Sequence, residues 1–65
     1  MKIGDQVHKY RKLKKWTLGE LGERSGLAPS TLCDAENGRS ALSVKSLEKI
    51  ADALGIDLEY LFKKE

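Results

Sequence analysis

The sequence predicts an all-α fold of five short helices, and three observations carry the prediction. Apolar residues recur at spacings of three and four along the chain, and no run alternates as a half-buried strand would. The periodic segments are divided by glycine, Asn-Gly and helix-cap residues, not by long loops. The chain has 65 residues, one Pro and one Cys, which leaves room for one domain and nothing to staple it. Cys33 alone forms no internal disulfide and supplies too few ligands for a structural zinc. Residues 1–65 are therefore read as a single domain stabilised by helix packing, with scope for help from dimerisation.

The first helix is expected from Ile3 to about Lys15, with Ile3, Val7, Tyr10 and Leu13 inward and Trp16 closing the segment. Thr17 with Glu20 three residues later is a capping box, and it starts a second helix, Leu18 to Ser25. Gly26 suits a left-handed residue after that helix. Pro29 suits the first turn of a third helix, where its missing N–H would have been unpaired anyway. That helix runs to Glu36 and stops at the turn signal Asn37-Gly38. Ser43 caps a fourth helix whose stripe is Val44, Leu47, Ile50, Ala51 and Leu54, ended by Gly55. Asp57 caps a short fifth helix containing Leu58, Leu61 and Phe62.

Twelve Lys and Arg against ten Asp and Glu leave a net charge of only +2, but the distribution is uneven. Lys2, Lys9, Arg11, Lys12, Lys14 and Lys15 face the single acid Asp5 in the first fifteen residues. Residues 46–61 carry Glu48, Asp52, Asp57 and Glu59 against Lys49. One basic end suits a polyanion, although a charge run alone is more often a solvated helix face. No stretch approaches the ~20 apolar residues of a membrane span, and the start lacks the apolar core of a secretory signal, so the expected location is cytoplasmic. The chain has no Gly-rich phosphate loop, no paired carboxylates in an evident pocket and hardly room for a substrate cleft, so an enzyme is not expected. No metal or cofactor is expected either, since His8 has no second ligand nearby and reads as solvated or phosphate-facing.

The informative feature is the pair of segments 18–25 and 29–36, three residues apart. Two helices cross steeply only where the contact residues are small and the turn permits positive φ. Gly22, Gly26 and the apolar set Leu21, Leu27, Leu32 and Ala35 meet those needs at helix-turn-helix spacing. Other segments extend the pattern, namely Val7 to Arg11, Trp16-Thr17, Glu20 to Gly22, Ser25 to Leu27 and Ser30 to Leu32. Glu36 to Arg39, Leu47 through Ala51, and Ala53 through Phe62 complete it. Together they closely resemble the phage repressor and Cro class of helix-turn-helix domains, also called the xenobiotic-response-element family, over residues 3–62.

That resemblance implies a lambda-repressor-like, five-helix domain that binds double-stranded DNA as a homodimer on a palindromic operator to regulate transcription, most often as a repressor. It also implies that helix 29–36 is the recognition helix and that Arg11 and Glu36 form an internal ion pair behind it. On this basis Ala28, Pro29, Ser30, Thr31, Cys33 and Asp34 are the expected groove-facing residues. Backbone contacts are expected from helix N-termini and nearby donors: Thr17, Leu18, Asn37, Arg39, Ser40 and Lys45. Leu42, Leu58, Tyr60 and Leu61 are the expected dimer contacts.

Three departures from the pattern matter. Leu18 stands where the family usually has a phosphate-binding Gln. The reading positions of helix three hold no Arg, Lys, Gln or Asn, which make the strongest base contacts; Ser30 and Thr31 discriminate weakly, and Asp34 accepts from cytosine N4 but repels phosphates. Specificity then rests on DNA shape as much as on base edges. Leu42 replaces a common proline and is read equally as a partner contact or as a leucine folded onto the core. These departures keep open a second reading, a helix-turn-helix turned to binding protein as an antitoxin-like or co-regulator module. Cys33 reads as a small residue in a snug place in preference to a redox gate. Trp16 and Tyr10 read as core in preference to base-stacking platforms.

Overall fold

The computed structural model describes residues 3–39 and 41–62. It contains four α-helices: α1 Ile3–Leu13, α2 Leu18–Ser25, α3 Pro29–Glu36 and α4 Val44–Leu54. The expected fifth helix is a 3-10 turn, Leu58–Leu61. Asp57 precedes it in extended conformation without a side-chain cap, and Tyr60 N–H bonds the Asp57 carbonyl at 3.0 Å. One turn with an uncapped start does not propagate an α-helix, because the first turn orders several residues for one bond.

The core is built from one stripe of each element: Val7 from α1, Leu21 from α2, Leu32 from α3, then Leu47, Ile50, Ala51 and Leu54 from α4. Leu61 of the closing turn completes it. α2 packs against both α3 and α4, while α1 packs against α3, α4 and the closing turn. Tyr10 and Trp16 are half-buried against this core.

Two apolar residues assigned inward, Leu13 and Val44, and Phe62 of the expected last helix are not buried. Leu13 is 68% exposed, since it lies in the last turn of α1, about 60° round the helix from Tyr10 and about 120° from Val7. Val44, the first residue of α4, is 61% exposed, and Phe62, past the end of the closing turn, is 52% exposed. Each sits at an element's end, where no neighbouring helix overlaps it. α1 also stops two residues earlier than expected. Lys15 takes a left-handed φ of 61°, at a cost of about 1–2 kcal/mol for a residue with a Cβ, so the chain reverses before Trp16.

A close approach at Gly4 was not anticipated from sequence. A Cβ there would lie against the Ala35 carbonyl oxygen, so α1 meets the C-terminal turn of α3 backbone to backbone. No helix among the described residues is long and apolar enough to cross a membrane.

Candidate nucleic-acid interface

The interface begins with the α2–α3 crossing. A Cβ on Gly22 would stand 2.6 Å from the Leu27 carbonyl oxygen and 3.4 Å from the Pro29 ring. A side chain here would push the helices apart. Gly26 then takes φ 78°, and both its N–H and that of Leu27 reach back to the Gly22 carbonyl, at 2.8 and 3.1 Å. Only glycine holds that conformation without strain, and the two bonds satisfy the end of α2.

The N-termini of α2 and α3 are finished differently. At α2 the capping box is complete: Glu20 N–H donates to Thr17 Oγ1 at 3.1 Å, and Thr17 N–H donates to Glu20 Oε1 at 3.2 Å. At α3, Ala28 is extended and offers no side-chain cap, with Pro29 at the start of the helix. Ala28, Pro29, Ser30 and Thr31 are all exposed, so the first turn of α3 stands clear of the domain with its N–H groups uncapped by a side chain. Such an end favours an anion, because free N–H groups and the helix dipole both point outward.

Farther along α3, Cys33 and Asp34 are half-buried. Asn37 spends its side-chain amide on the helix itself, donating to the Cys33 carbonyl at 2.9 Å with Sγ at 3.4 Å. Arg39 is 71% exposed at its side chain, with Nη1 3.9 Å from Asp34 Oδ1. Lys45 is exposed in the first turn of α4, which Ser43 caps through Ser46 N–H at 3.2 Å. Leu18 is half-buried against the core, so its side chain serves packing while its N–H lies in the open first turn of α2. Ser40 lies outside the described residues.

Behind α3, Arg11 binds Glu36 in fork geometry, Nε to Oε2 at 2.8 Å and Nη2 to Oε1 at 3.1 Å. Its Nη1 donates to the Trp16 carbonyl at 2.7 Å, so one guanidinium ties α1, the α1–α2 turn and the end of α3. The two side chains are 9% and 6% exposed. Burial pushes the Glu36 carboxyl up, but hydrogen bonds from Arg11 and His8, with their charges, outweigh it and hold its pKa below the ordinary value.

The sequence reading missed the part played by His8. Its Nδ1 lies 2.8 Å from Glu36 Oε1, and an ionised carboxylate only accepts, so Nδ1 carries the proton of this bond. His8 is a third member of the brace through Nδ1, while its side chain stays 53% exposed. Its position one turn before Arg11 on α1 was the available signal, but only the fold brings Glu36 to both. Also unforeseen is the stacking of Arg24 over Trp16, 4.5 Å from guanidinium carbon to ring centroid, with Lys14 at 5.8 Å.

The expected dimer contacts divide. Leu61 is 1% exposed and belongs to the core, so its side chain is not available to a partner. Leu42 and Leu58 are half-buried against the same core, and Tyr60 is half-buried. An apolar residue beside a core this small is drawn inward, because burial removes it from water at no need of a second chain.

The relatives agree with this architecture. The immunity repressor protein of Bacillus phage phi105 is 35% identical over 65 residues, all of this chain and 45% of its own length. The transcriptional regulator SinR of Bacillus subtilis is 34% identical over 64 residues, 97% of this chain and 58% of its own. The chain thus spans about half the length of these relatives. The N-terminal DNA-binding domain of SinR superposes with a TM-score of 0.90 at 33% identity, covering 97% of this chain and 93% of that one. A crystal structure of SinR in complex with DNA superposes with a TM-score of 0.87 at 35% identity, covering 94% and 98%. The sequence pattern of the helix-turn-helix family HTH_3 spans residues 7–61, from the core valine of α1 to the core leucine of the closing turn, and the chain belongs to that family.

Proposed function

We propose that this chain binds double-stranded DNA as the operator-reading part of a homodimeric transcriptional repressor in the cytoplasm. The observation that carries the proposal is the first turn of α3, exposed from Ala28 to Thr31, on a helix whose other end is tied to α1 by Arg11 and Glu36. α3 enters the major groove. The α2 N-terminus, Arg39 and Lys45 meet phosphates on its flanks, and Thr17 orients the first of these through its cap. Two copies read two half-sites about one helical turn, roughly 34–36 Å, apart on a palindromic operator. Residues 1–65 act as one module of this regulator, and its work is binding, not turnover. The DNA-bound structure of SinR supports this reading in preference to a protein-binding module.

The test is fluorescence anisotropy on mixed-sequence duplex DNA at several salt concentrations. Affinity should fall steeply as salt rises, because bound cations release counterions from phosphates. Absence of binding at low salt would overturn the proposal. Analytical ultracentrifugation with and without a selected operator tests the dimer.

A further inference from the structure

We propose that Asp34 is the principal base-reading residue of this chain and that it selects a cytosine in the major groove of each half-site. The inference rests on the duplex binding proposed above and names what that surface reads. Helix periodicity puts residues four and three apart on one stripe. In α3 the inner side is set by buried Leu32 and Ala35 and by Glu36, which is turned to Arg11. The outermost stripe is therefore Ser30, Asp34 and Asn37.

Of these three, Asn37 has its amide engaged with Cys33 at 2.9 Å. Ser30 carries one hydroxyl, which donates or accepts and so tolerates several bases. Asp34 remains, a charged acceptor at the centre of the stripe with its side chain 49% exposed. The Arg39 guanidinium stands 3.9 Å away, and Arg39 N–H donates to the Asp34 carbonyl at 2.8 Å, which keeps the two residues together. That cation offsets the repulsion a lone carboxylate meets between phosphate strands.

An ionised carboxylate accepts and does not donate. Guanine shows it two acceptors, thymine an acceptor and a methyl group, and adenine a donor beside the N7 acceptor. Cytosine alone shows an amino donor with no acceptor next to it. A cytosine opposite Asp34 should be favoured roughly fivefold or more over each other base, the lower end of what one base contact supplies.

The experiment is selection from a randomised duplex pool with the full chain, with Asp34→Asn and with Asp34→Ala, followed by anisotropy on the recovered sequences. The wild type should enrich cytosine at one position of each half-site. The Asn variant should move that position to adenine, whose N6 and N7 an amide reads bidentately, and the Ala variant should flatten it. All other positions should stay unchanged. If both variants bind every sequence more tightly and no preference moves, Asp34 is only a charge near phosphates and the inference fails while duplex binding stands. If the wild type binds duplex without enriching any sequence, it fails likewise. If the wild type binds no duplex at all, the proposed function falls and takes this inference with it. Equal thermal midpoints of the three proteins, expected for a half-exposed side chain, exclude unfolding as the cause.

Discussion

Replacing Arg11 with Met keeps an apolar stem of similar length and removes the guanidinium that ties α3 to α1. Glu36 is then left with a carboxylate whose side chain is 6% exposed, and the Trp16 carbonyl loses its donor at 2.7 Å. Breaking a buried pair from one side costs about 3–5 kcal/mol, most of it the charge left behind. His8, still 2.8 Å from Glu36, keeps the loss near the lower end, about 3 kcal/mol. A chain of 65 residues has a total stability of roughly 3–10 kcal/mol, so the variant sits close to unfolding. The midpoint should drop by about 12–24 °C. Urea titration followed by circular dichroism and Trp16 fluorescence measures this. The double variant Arg11→Met with Glu36→Leu should recover about 2 kcal/mol over the single one, because it removes the orphaned charge. A loss below about 1 kcal/mol for Arg11→Met, or a double variant no more stable than the single, would refute the view that the buried pair braces α3.

Two glycines of helical segments should respond with opposite signs. Gly4→Ala forces a Cβ into the Ala35 carbonyl and should destabilise by about 1–3 kcal/mol, whereas Gly19→Ala meets only Thr17 Oγ1, at 3.7 Å, and should gain up to about 1 kcal/mol in thermal melts. Acid should also discriminate. Glu36 has a folded pKa below its unfolded one, so its contribution is whole at neutral pH and fades as pH falls below about 4.3 through the folded value. Glu36→Gln should therefore lose less stability than the wild type over that acid range, and parallel urea midpoints for the two would contradict the shift. Finally, Arg39→Ala should weaken duplex binding and reduce the salt slope by about one; an unchanged slope would remove Arg39 from the phosphate contacts.

Much of the chain's order was legible because its signals are local. The Thr17–Glu20 box, Gly26, Pro29 and the Ser43 cap act within one turn of helix, and each stands where the spacing required it. The ion pair of Arg11 and Glu36 came only through the family resemblance, since no spacing along the chain relates residues 25 apart. Other features were out of reach for the same reason. Gly4 meets Ala35, and His8 meets Glu36, only after α1 has been laid against α3. The terminal apolar residues Leu13 and Val44 misled because periodicity reports which side of a helix a residue occupies, not whether a neighbour reaches that far along it.

By itself, then, the sequence determined the helix count to within one short turn and the helix-turn-helix crossing. These depend on backbone sterics, capping and periodicity, which a dozen consecutive residues carry within themselves. The tertiary structure decided which polar groups spend their hydrogen bonds inside the domain, as Asn37 and His8 do, and which stay open, as Asp34 does half-exposed. It also decided that Leu61 belongs to the core and not to a partner. Burial and pairing depend on what other segments bring alongside a residue, and that is settled only when the helices pack.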